Sequence, residues 1–387
     1  MRHWTTKLLI FFLFVLTLIS AYNYFNKPFL KKINQLTNAD VAPTPTPTPA
    51  LASKKELDVK GKIAQLIAVP FDINELEKDS TSSARILRFI ADYEPGFVLY
   101  FGEKISTQSA ILAKETIYGS FTESDYFPLI AVDHEGGLVQ RLSGEGFTKL
   151  DAWQKVVNDY SVAQQTAIFN QSARELGSVG VNIVFAPVVD LASNSAVLKT
   201  RVADDLNKTY LATNNFILSY SQNGLMSVIK HFPGIGSISK DPHNAVSTIT
   251  LSANDTEIFS KVLNKYNNIG VMTTHVRLEN KLAGQVCSLS AECLAKFSES
   301  YPNVLLFTDD LSMKSARFQG EGMQEKDLGQ VAVEAILAGN DVLVFGRGVD
   351  ATSLEEVIVT LQKKYEDSES FKNRIDNSLM KVLKLKK

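Results

Sequence analysis

Residues 226–243 read MSVIKHFPGIGSISKDPH, a strand-like run followed by a polar loop. The run from Met226 to Ile229 is short, apolar and β-rich, which is typical of a buried strand. A Lys-His pair ends the run, and the two glycines that follow allow the backbone to turn sharply. The residue before Pro242 is biased towards an extended conformation. The stretch therefore predicts a buried strand that opens into a loop carrying two histidines, two lysines and a carboxylate.

The same alternation of a short apolar run and a longer helical pattern repeats from about Leu57 onward. We expect strands at Ile63–Val69, Gly96–Phe101, Leu129–Asp133, Asn182–Val189, Met226–His231, Gly270–His275, Val304–Asp309 and Asp341–Phe345. We expect helices at Ser82–Tyr93, Thr107–Tyr118, Ser161–Val179, Asn207–Asn223, Asn254–Asn267, Ala291–Ser300, Glu325–Ala338 and Ser353–Leu383. Eight strand–helix pairs over roughly 330 residues predict an α/β protein with a (β/α)₈ TIM-type barrel. The competing arrangement, a doubly wound open sheet, would need a switch point in its strand order.

The composition limits the classes of protein to which the chain can belong. Its 387 residues, of which 45% are hydrophobic, suffice for one large domain with its own core or for two small ones. A net charge of −2 offers no basic excess, so we expect no nucleic-acid partner. Cys287 and Cys293 are near enough in sequence to pair, but they do not imply a disulfide framework. The chain contains neither a C-x-x-C zinc pattern nor a G-x-x-x-x-G-K-[ST] phosphate loop.

Residues 1–26 are interpreted as a membrane anchor or signal segment, because Leu8 to Ala21 is nearly all apolar. Its length suits the core of a signal peptide, whereas a spanning helix needs about 20 apolar residues. No small-x-small cleavage site follows, since Ile19 stands two residues before Ala21. Aromatic residues extend the run in a way that suits a membrane interface. We therefore favour an uncleaved anchor over a cleaved segment.

Residues 27–56 are interpreted as a linker between this segment and a folded domain at 57–387. From Pro43 to Pro49 the linker alternates proline and threonine, which favours a stiff, extended spacer. Such a spacer suits a domain held away from a membrane. We therefore expect a membrane-anchored domain on the extracytoplasmic side, or a secreted domain if the segment is cleaved.

Polar side chains gather at the predicted C-terminal ends of the strands, where barrels of this type place their active sites. These ends carry Asp133-His134-Glu135, Asp190, Lys230-His231, His275 and Asp309-Asp310. Four of the five histidines, His134, His231, His243 and His275, fall at or just past strand ends. A glycosidase needs a carboxylate nucleophile and a proton donor, and this set supplies both. A metal-dependent barrel hydrolase would also suit the His/Asp content, although the His-x-His expected at its first strand is missing here.

Four segments together resemble glycoside hydrolase family 3, in its single-domain β-N-acetylglucosaminidase branch. They are KHFPG at 230–234 with Asp241-x-His243, AVDHEGGLVQR at 131–141, FAPVVD at 185–190 and FTDDLSM at 307–313. The resemblance implies a (β/α)₈ barrel, which agrees with the strand count. It also implies a β-N-acetylhexosaminidase: retaining hydrolysis of terminal β-linked N-acetylglucosamine, typically in peptidoglycan fragments. The two-domain glucosidases of the family need a second domain, for which roughly 330 residues leave no room after one barrel.

The resemblance also implies a role for each matched residue. Asp309 falls at the position of the nucleophile, with Asp310 as the runner-up, and His243 falls at the acid/base position with Asp241 as its partner. The sugar-binding positions hold Asp133, Arg141, Arg201, Lys230 and His231. Histidine suits proton transfer near neutral pH. The implied cycle needs no metal and no organic cofactor, and we expect a monomer that acts on cell-wall muropeptides.

Three positions depart from the family's pattern. Ile235 stands where histidine is usual, Leu138 stands where arginine is usual, and Pro242 replaces serine between Asp241 and His243. We expect these changes to alter the packing or mobility of the loop, to remove a charge beside the sugar site and to stiffen the dyad. The alternative to an enzyme is a non-catalytic, tethered domain that binds cell-wall glycans. The enzyme is favoured over the binding domain because every catalytic position of the family holds a residue suited to its role.

Overall fold

A computed structural model describes residues 56–78, 80–121, 126–192, 195–279, 285–318 and 325–387. The expected membrane segment at 1–26 and all but the last residue of the expected linker at 27–56 lie outside the described residues. No helix within the described ranges has both the length and the apolar character needed to span a membrane.

Eight parallel strands form the barrel that the sequence predicted. They are β1 (Ile67–Asp72), β2 (Phe97–Phe101), β3 (Leu129–Val132), β4 (Ile183–Val184), β5 (Met226–Phe232), β6 (Gly270–Thr273), β7 (Leu305–Thr308) and β8 (Leu343–Val344). Hydrogen bonds join them in the order β8–β1–β2–β3–β4–β5–β6–β7. A parallel bridge between Phe307 and Val342 brings the two ends of the sheet together. The prediction of a (β/α)₈ barrel is confirmed.

Helices alternate with these strands along the chain. They are Val59–Ala64, Ile73–Glu77, Thr81–Tyr93, Thr107–Gly119, Trp153–Asp159, Val162–Ser178, Leu206–Gln222, Ala253–Leu263, Ala291–Ser300, Lys314–Arg317, Leu328–Ala338, Ala351–Asp367 and Glu369–Leu385. Short 3₁₀ turns lie at Lys199–Arg201 and Cys287–Leu289. Two pairs of short strands lie outside the barrel sheet: His134–Gly136 with Val139–Gln140, and Ser247–Ile249 with Val276–Leu278.

Three phenylalanines from separate strand regions meet inside the barrel. The ring of Phe307 lies 5.7 Å from that of Phe97 and 5.6 Å from that of Phe185, both in edge-to-face contact. Such pairs contribute about 0.5–1.5 kcal/mol beyond the burial of their area. Phe185 also borders the pocket described below. The polar residues at the strand ends therefore lie next to tightly packed aromatic side chains.

The expectation for the first strand is wrong by about one helical turn. Ile63 and Ala64 belong to the helix Val59–Ala64, and β1 begins at Ile67. The side chain of Asp58 accepts a hydrogen bond from the main-chain N of Gly61 at 2.7 Å. This cap satisfies one of the free N–H groups at the start of a helix, so an apolar segment that resembles a strand folds as a helical turn.

Two further boundaries differ from the expected ones. The single helix expected at Ser353–Leu383 is two helices, because Ser368 adopts an extended backbone (φ −144°) and caps the second of them. The fourth strand, expected at Asn182–Val189, is regular at Ile183–Val184 alone. Pro187 has no N–H to donate to a neighbouring strand. Pairing resumes beyond it, where the main-chain N of Val189 donates to the carbonyl of Lys230 at 2.8 Å.

Candidate active site

A pocket opens at the C-terminal ends of the strands. Every site residue predicted from the sequence borders it: Asp133, Arg141, Arg201, Lys230, His231, Asp241, His243 and Asp309. Apolar side chains complete the lining, among them Leu99, Phe101, Phe185, Met272 and Met313. The structure therefore brings the predicted set together in one place, which the spacing of these residues along the chain does not by itself require.

Four charged side chains form one wall of this pocket: Asp133, Glu135, Arg201 and Lys230, called here the charged wall. The Nζ of Lys230 lies 2.8 Å from Asp133 Oδ1 and 2.6 Å from Glu135 Oε1. Arg201 donates to the two oxygens of Glu135 at 2.8 and 2.9 Å. The side chains of Lys230 and Glu135 are only 3% and 1% exposed. Buried charges of this kind persist only when each has close partners.

Mutual attraction keeps Glu135 and Lys230 ionised in spite of their burial. Burial by itself would raise the pKa of the Glu135 carboxyl, but Lys230 and Arg201 beside it hold that pKa well below its usual range. Burial likewise opposes the charge of Lys230, and the two acidic neighbours outweigh it and raise the lysine pKa. The wall therefore presents fixed charges, which form stronger hydrogen bonds to hydroxyl groups than neutral partners do.

Asp190 secures the turn that follows β5. Its Oδ2 accepts from the main-chain N of His231 at 3.1 Å and lies 2.7 Å from Nδ1 of the same ring. Its Oδ1 accepts from the main-chain N of Ile235 at 2.8 Å. Because a carboxylate accepts, Nδ1 of His231 carries the hydrogen of this contact. Nε2 then faces the Arg201 side of the pocket, where the guanidinium lies 3.5 Å away.

Asp309 stands directly after β7 and borders the pocket. Its Oδ1 accepts from the main-chain N of Asp310 at 2.9 Å, and its Oδ2 lies 3.5 Å from the hydroxyl of Thr274. Burial would raise the pKa of the Asp309 carboxyl, but His231, His275, the main-chain N–H of Asp310 and Lys230 together outweigh burial, so the pKa lies below its ordinary value. Asp309 is therefore suited to act as an ionised carboxylate near neutral pH.

Asp310 also borders the pocket, but its carboxylate is committed to the local fold. Its Oδ1 accepts from the main-chain N and the hydroxyl of Ser312 at 2.8 and 2.6 Å, and from the main-chain N of Gly346 at 2.7 Å. Burial raises the pKa of Asp310. These contacts favour Asp309 over its neighbour for the role of nucleophile.

Asp241 and His243 lie at the rim of the pocket. Asp241 Oδ1 accepts from the main-chain N of His243 at 2.9 Å and lies 2.8 Å from Nδ1 of its ring. The two side chains are 50% and 66% exposed. Partial burial opposes ionisation of Asp241, but the two hydrogen bonds from His243 outweigh it and lower the carboxyl pKa. Since Nδ1 is held by Asp241, Nε2 is the ring nitrogen left for proton transfer.

A main-chain hydrogen bond connects this rim to the short helix Lys314–Arg317, which follows Asp309 in the chain. The main-chain N of Ser315, six residues after Asp309, donates to the carbonyl of Pro242 at 3.3 Å. The central residue of the Asp-Pro-His sequence is therefore tied to the segment that follows β7. Pro242 contributes a carbonyl to the site as well as a restricted backbone.

Two buried carboxylates, Glu135 and Asp190, are not among the site residues predicted from the sequence. The sequence does carry a signal for Glu135, because residues two apart in an extended segment point to the same side and Asp133 is a predicted site residue. The histidine between them lies elsewhere. His134 is buried outside the pocket with Nε2 3.1 Å from the hydroxyl of Ser172, and burial lowers its pKa to about 3.

The positions that depart from the family's pattern lie in different surroundings. Ile235 is 2% exposed and forms part of the pocket lining. Leu138 is 65% exposed and lies outside the residues that line the pocket. Leu138 is therefore an exposed neighbour of the lining residues Val139 and Arg141, and the expected loss of a charge beside the sugar site stays a prediction.

Two chemical features of the described residues bear on the site. No group of three or more His, Cys, Asp or Glu side chains within them is arranged to hold a metal ion. Cys287 and Cys293, whose pairing the sequence left open, form a disulfide bond.

Comparison with known proteins places these observations in a family. Residues 58–385 match the family model described as the glycosyl hydrolase family 3 N terminal domain. A β-hexosaminidase of Idiomarina loihiensis is 34% identical over 233 residues, which cover 56% of this chain and 66% of that protein. A β-hexosaminidase of Glaesserella parasuis is 31% identical over 262 residues, covering 65% of this chain and 73% of that protein.

Solved structures share the fold. A β-N-acetylhexosaminidase from Beutenbergia cavernae superposes with a TM-score of 0.74 at 22% identity, covering 85% of this chain and 98% of that one. A family 3 β-N-acetylglucosaminidase from Paenibacillus superposes with a TM-score of 0.73 at 23% identity, covering 86% of this chain and 62% of that one. At such identities the likeness shows the barrel fold.

Proposed function

This chain belongs to glycosyl hydrolase family 3, and we propose that it is a retaining β-N-acetylhexosaminidase that removes terminal β-linked N-acetylglucosamine from peptidoglycan-type fragments. One observation carries the proposal: an aspartate with a lowered pKa, Asp309, and the Asp241–His243 dyad border the same pocket. A nucleophile and a proton donor are the two groups that a retaining glycosidase needs. The β-hexosaminidase names of the relatives support the same class of reaction.

In the first proposed step, a carboxylate oxygen of Asp309 attacks the anomeric carbon. His243 Nε2 delivers its proton to the glycosidic oxygen as the bond from that oxygen to the anomeric carbon breaks. The products of this step are the free aglycone and a sugar joined covalently to Asp309. The lowered pKa of Asp309 keeps the attacking carboxylate ionised.

In the second step, water replaces Asp309 at the anomeric carbon. Nε2 of His243, now without its proton, removes a proton from the water molecule as it attacks. The bond to Asp309 breaks and returns the carboxylate, and two successive inversions leave the sugar with its original β configuration. Asp241 stabilises the imidazolium at each stage in which His243 is protonated, because its carboxylate contacts Nδ1 at 2.8 Å.

The charged wall is proposed to hold the sugar during both steps. Lys230, Arg201 and Asp133 present ionised groups to the pocket, and such groups form strong, directional hydrogen bonds with sugar hydroxyls. Glu135 borders the same pocket and fixes the positions of Lys230 and Arg201 through contacts of 2.6–2.9 Å. Arg141 and His231 border the same pocket and complete the proposed binding set.

The test is hydrolysis of an aryl β-N-acetylglucosaminide by the full-length protein, with the anomeric configuration of the first product followed by NMR. We expect release of the β-anomer before mutarotation, at a rate that a chelator leaves unchanged. First release of the α-anomer would contradict the retaining mechanism. Loss of turnover with chelator would favour a metal-dependent hydrolase, and absence of turnover on aryl and disaccharide substrates would favour a glycan-binding domain.

We propose an extracytoplasmic location for the barrel, anchored by residues 1–26 and spaced from the membrane by residues 27–56. The apolar run and the Pro/Thr alternation support this proposal. Proteolysis of intact cells that carry a C-terminally tagged chain tests it. We expect the tag to be removed by externally added protease once any outer barrier is opened, whereas full protection until the inner membrane is lysed would contradict the location.

A further inference from the structure

The Cys287–Cys293 disulfide lies one residue away from a buried hydrogen-bond chain that reaches the nucleophile strand. Cys287 opens the 3₁₀ turn Cys287–Leu289, and Cys293 lies in the first turns of the helix Ala291–Ser300. Cys287 and Ser288 are both completely buried. The disulfide therefore ties the turn that carries Ser288 to the helix that follows it.

Ser288 is fixed on three sides. Its main-chain N donates to the carbonyl of Thr274 at 3.1 Å, and its own carbonyl accepts from the side-chain amide of Asn340 at 2.7 Å. Its hydroxyl lies 2.6 Å from Nδ1 of His275. His275 is also completely buried, and its Nε2 lies 3.0 Å from the main-chain carbonyl of Asp310.

These contacts allow one arrangement of protons on neutral His275. A carbonyl oxygen can only accept, so Nε2 carries the hydrogen that contacts Asp310. A neutral imidazole then has a bare Nδ1, which accepts from the hydroxyl of Ser288. Burial lowers the pKa of His275 despite the acidic residues nearby, which agrees with a neutral ring. The chain Ser288 → His275 → Asp310 therefore runs in a single direction.

The hydrogen-bond chain ends at the main chain of Asp310, which also contacts the side chain of Asp309. The main-chain N of Asp310 donates to the Asp309 carboxylate at 2.9 Å, and its carbonyl accepts from His275. A shift of His275 would therefore move the residue that holds the proposed nucleophile. Reactions of this kind are sensitive to such shifts, since a displacement of about 1 Å can cost on the order of 100-fold in rate.

We propose that Ser288 and His275 are positioning residues for Asp309, and that the Cys287–Cys293 disulfide holds Ser288 in the place that this requires. The part concerning catalysis rests on the proposed function. The part concerning the hydrogen-bond chain does not depend on turnover. The two parts therefore call for separate readouts.

The first readout is the ¹⁵N NMR spectrum of the His275 ring in the full-length protein, assigned with His275→Gln. We expect a neutral ring with hydrogen on Nε2 and a hydrogen-bonded Nδ1. In Ser288→Ala the Nδ1 resonance should move towards that of a free lone pair, and in Cys287→Ala/Cys293→Ala it should move in the same direction. A charged ring, or hydrogen on Nδ1, would overturn the chain. An unchanged His275 spectrum in the double variant would overturn the role of the disulfide.

The second readout is the kinetics of aryl β-N-acetylglucosaminide hydrolysis below the melting temperature of each variant. We expect Ser288→Ala to lower kcat about tenfold with little change in KM, because alignment of the nucleophile matters in the transition state. Ser288→Thr keeps the hydroxyl and should restore most of kcat. Ser290→Ala, in the same buried segment, is the control and should retain kcat. A kcat for Ser288→Ala equal to that of the wild type would overturn the positioning role.

Inactivity of the wild type would refute the proposed function. It would not refute the hydrogen-bond chain, because the NMR spectrum of His275 tests that chain independently of turnover. A merely structural role of Ser288 would lower the melting temperature while kcat of the folded protein stayed the same. The combination of kcat, KM and the rescue by threonine therefore separates positioning from stability.

Discussion

The two sides of the pocket hold their polar groups in opposite ways. In the charged wall, the side chains of Lys230 and Glu135 are 3% and 1% exposed and locked by short ion pairs. At the rim, the side chains of His243 and Asp241 are 66% and 50% exposed. Buried charges need partners in fixed positions, whereas an exposed pair contributes little to stability and stays in contact with water. The difference suits the wall to binding and the rim to proton exchange.

The largest effect is expected on the buried side, at the nucleophile. Asp309→Asn should lower turnover by on the order of 10⁴-fold or more, because removal of a nucleophile abolishes the covalent route. Asp310→Asn, the same substitution at the adjacent residue, is the matched control. It should lose stability through weaker contacts with Ser312 and Gly346 but keep far more turnover. A greater loss of kcat in Asp310→Asn would reverse the assignment.

The second-largest effect on turnover is expected at the exposed rim, at His243. His243→Ala should lower the hydrolysis of a natural disaccharide by about 10²–10⁴-fold, the usual contribution of a general acid. An aryl substrate with a good leaving group needs less protonation and should suffer less. Because the ring is exposed, the free energy of unfolding should stay within about 0.5 kcal/mol of the wild type. Equal losses on the two substrates would count against the acid role.

The free energy of unfolding should distinguish the charged wall from the exposed rim. Glu135→Gln removes the carboxylate that contacts both Lys230 and Arg201, so two cations remain buried with a weaker partner. Removal of one member of a buried pair typically costs about 3–5 kcal/mol. Asp241→Asn is the exposed counterpart and should cost less than about 1 kcal/mol. Urea denaturation of both variants measures the difference, and equal costs would show that the wall is not the rigid element described here.

The smallest effect is the pH dependence of stability. Burial opposes ionisation of Asp309, but the surrounding groups, among them His231, Lys230 and the main-chain N–H of Asp310, together hold its pKa below the ordinary value. An aspartate whose pKa is lowered by folding stabilises the folded state at any pH above its unfolded-state pKa, which is about 4. This stabilisation is lost as the pH falls from that value through the lowered pKa of the folded state. The wild type should therefore lose stability relative to Asp309→Asn below about pH 4. An identical pH profile for the two proteins would contradict the lowered pKa.

The exposed side offers the matched comparison for this pH effect. The pKa of Asp241 is lowered in the same direction by its hydrogen bonds to His243. Because Asp241 is half exposed, solvent screens the interaction, so the difference between wild type and Asp241→Asn should be smaller over the same pH range. A larger effect at Asp241 than at Asp309 would place the stronger electrostatic coupling at the rim.

The sequence predicted the barrel because each strand and helix carries its own local signal. Alternating strand and helix patterns identified eight repeats, and helices such as Ala291–Ser300 begin and end where expected. Errors arose where capping decided the outcome. Asp58 turns the apolar segment at Ile63 into a helix, and Ser368 divides the last expected helix in two. Both effects rest on single hydrogen bonds that apolar periodicity does not report.

The predicted site residues border the pocket; of the two omitted carboxylates, Glu135 shares the charged wall with them and Asp190 lies outside the lining. Glu135 and Asp190 hold Lys230 and His231 in position. His275 approaches the nucleophile strand through a main-chain carbonyl, a contact that depends on the closed barrel. A sequence motif can identify groups that suit a reaction, but supporting contacts between distant strands appear only when the chain is folded.

The most direct test of the proposed division between a buried nucleophile and an exposed proton carrier is to trap the covalent intermediate. In His243→Ala, an aryl β-N-acetylglucosaminide should still transfer its sugar to the nucleophile, whereas attack by water lacks its base, so the glycosyl-enzyme should accumulate. We predict that mass spectrometry of the digested protein finds the sugar on the peptide that contains Asp309, bound at that residue. A sugar bound to Asp310 or to any other residue would contradict the central claim.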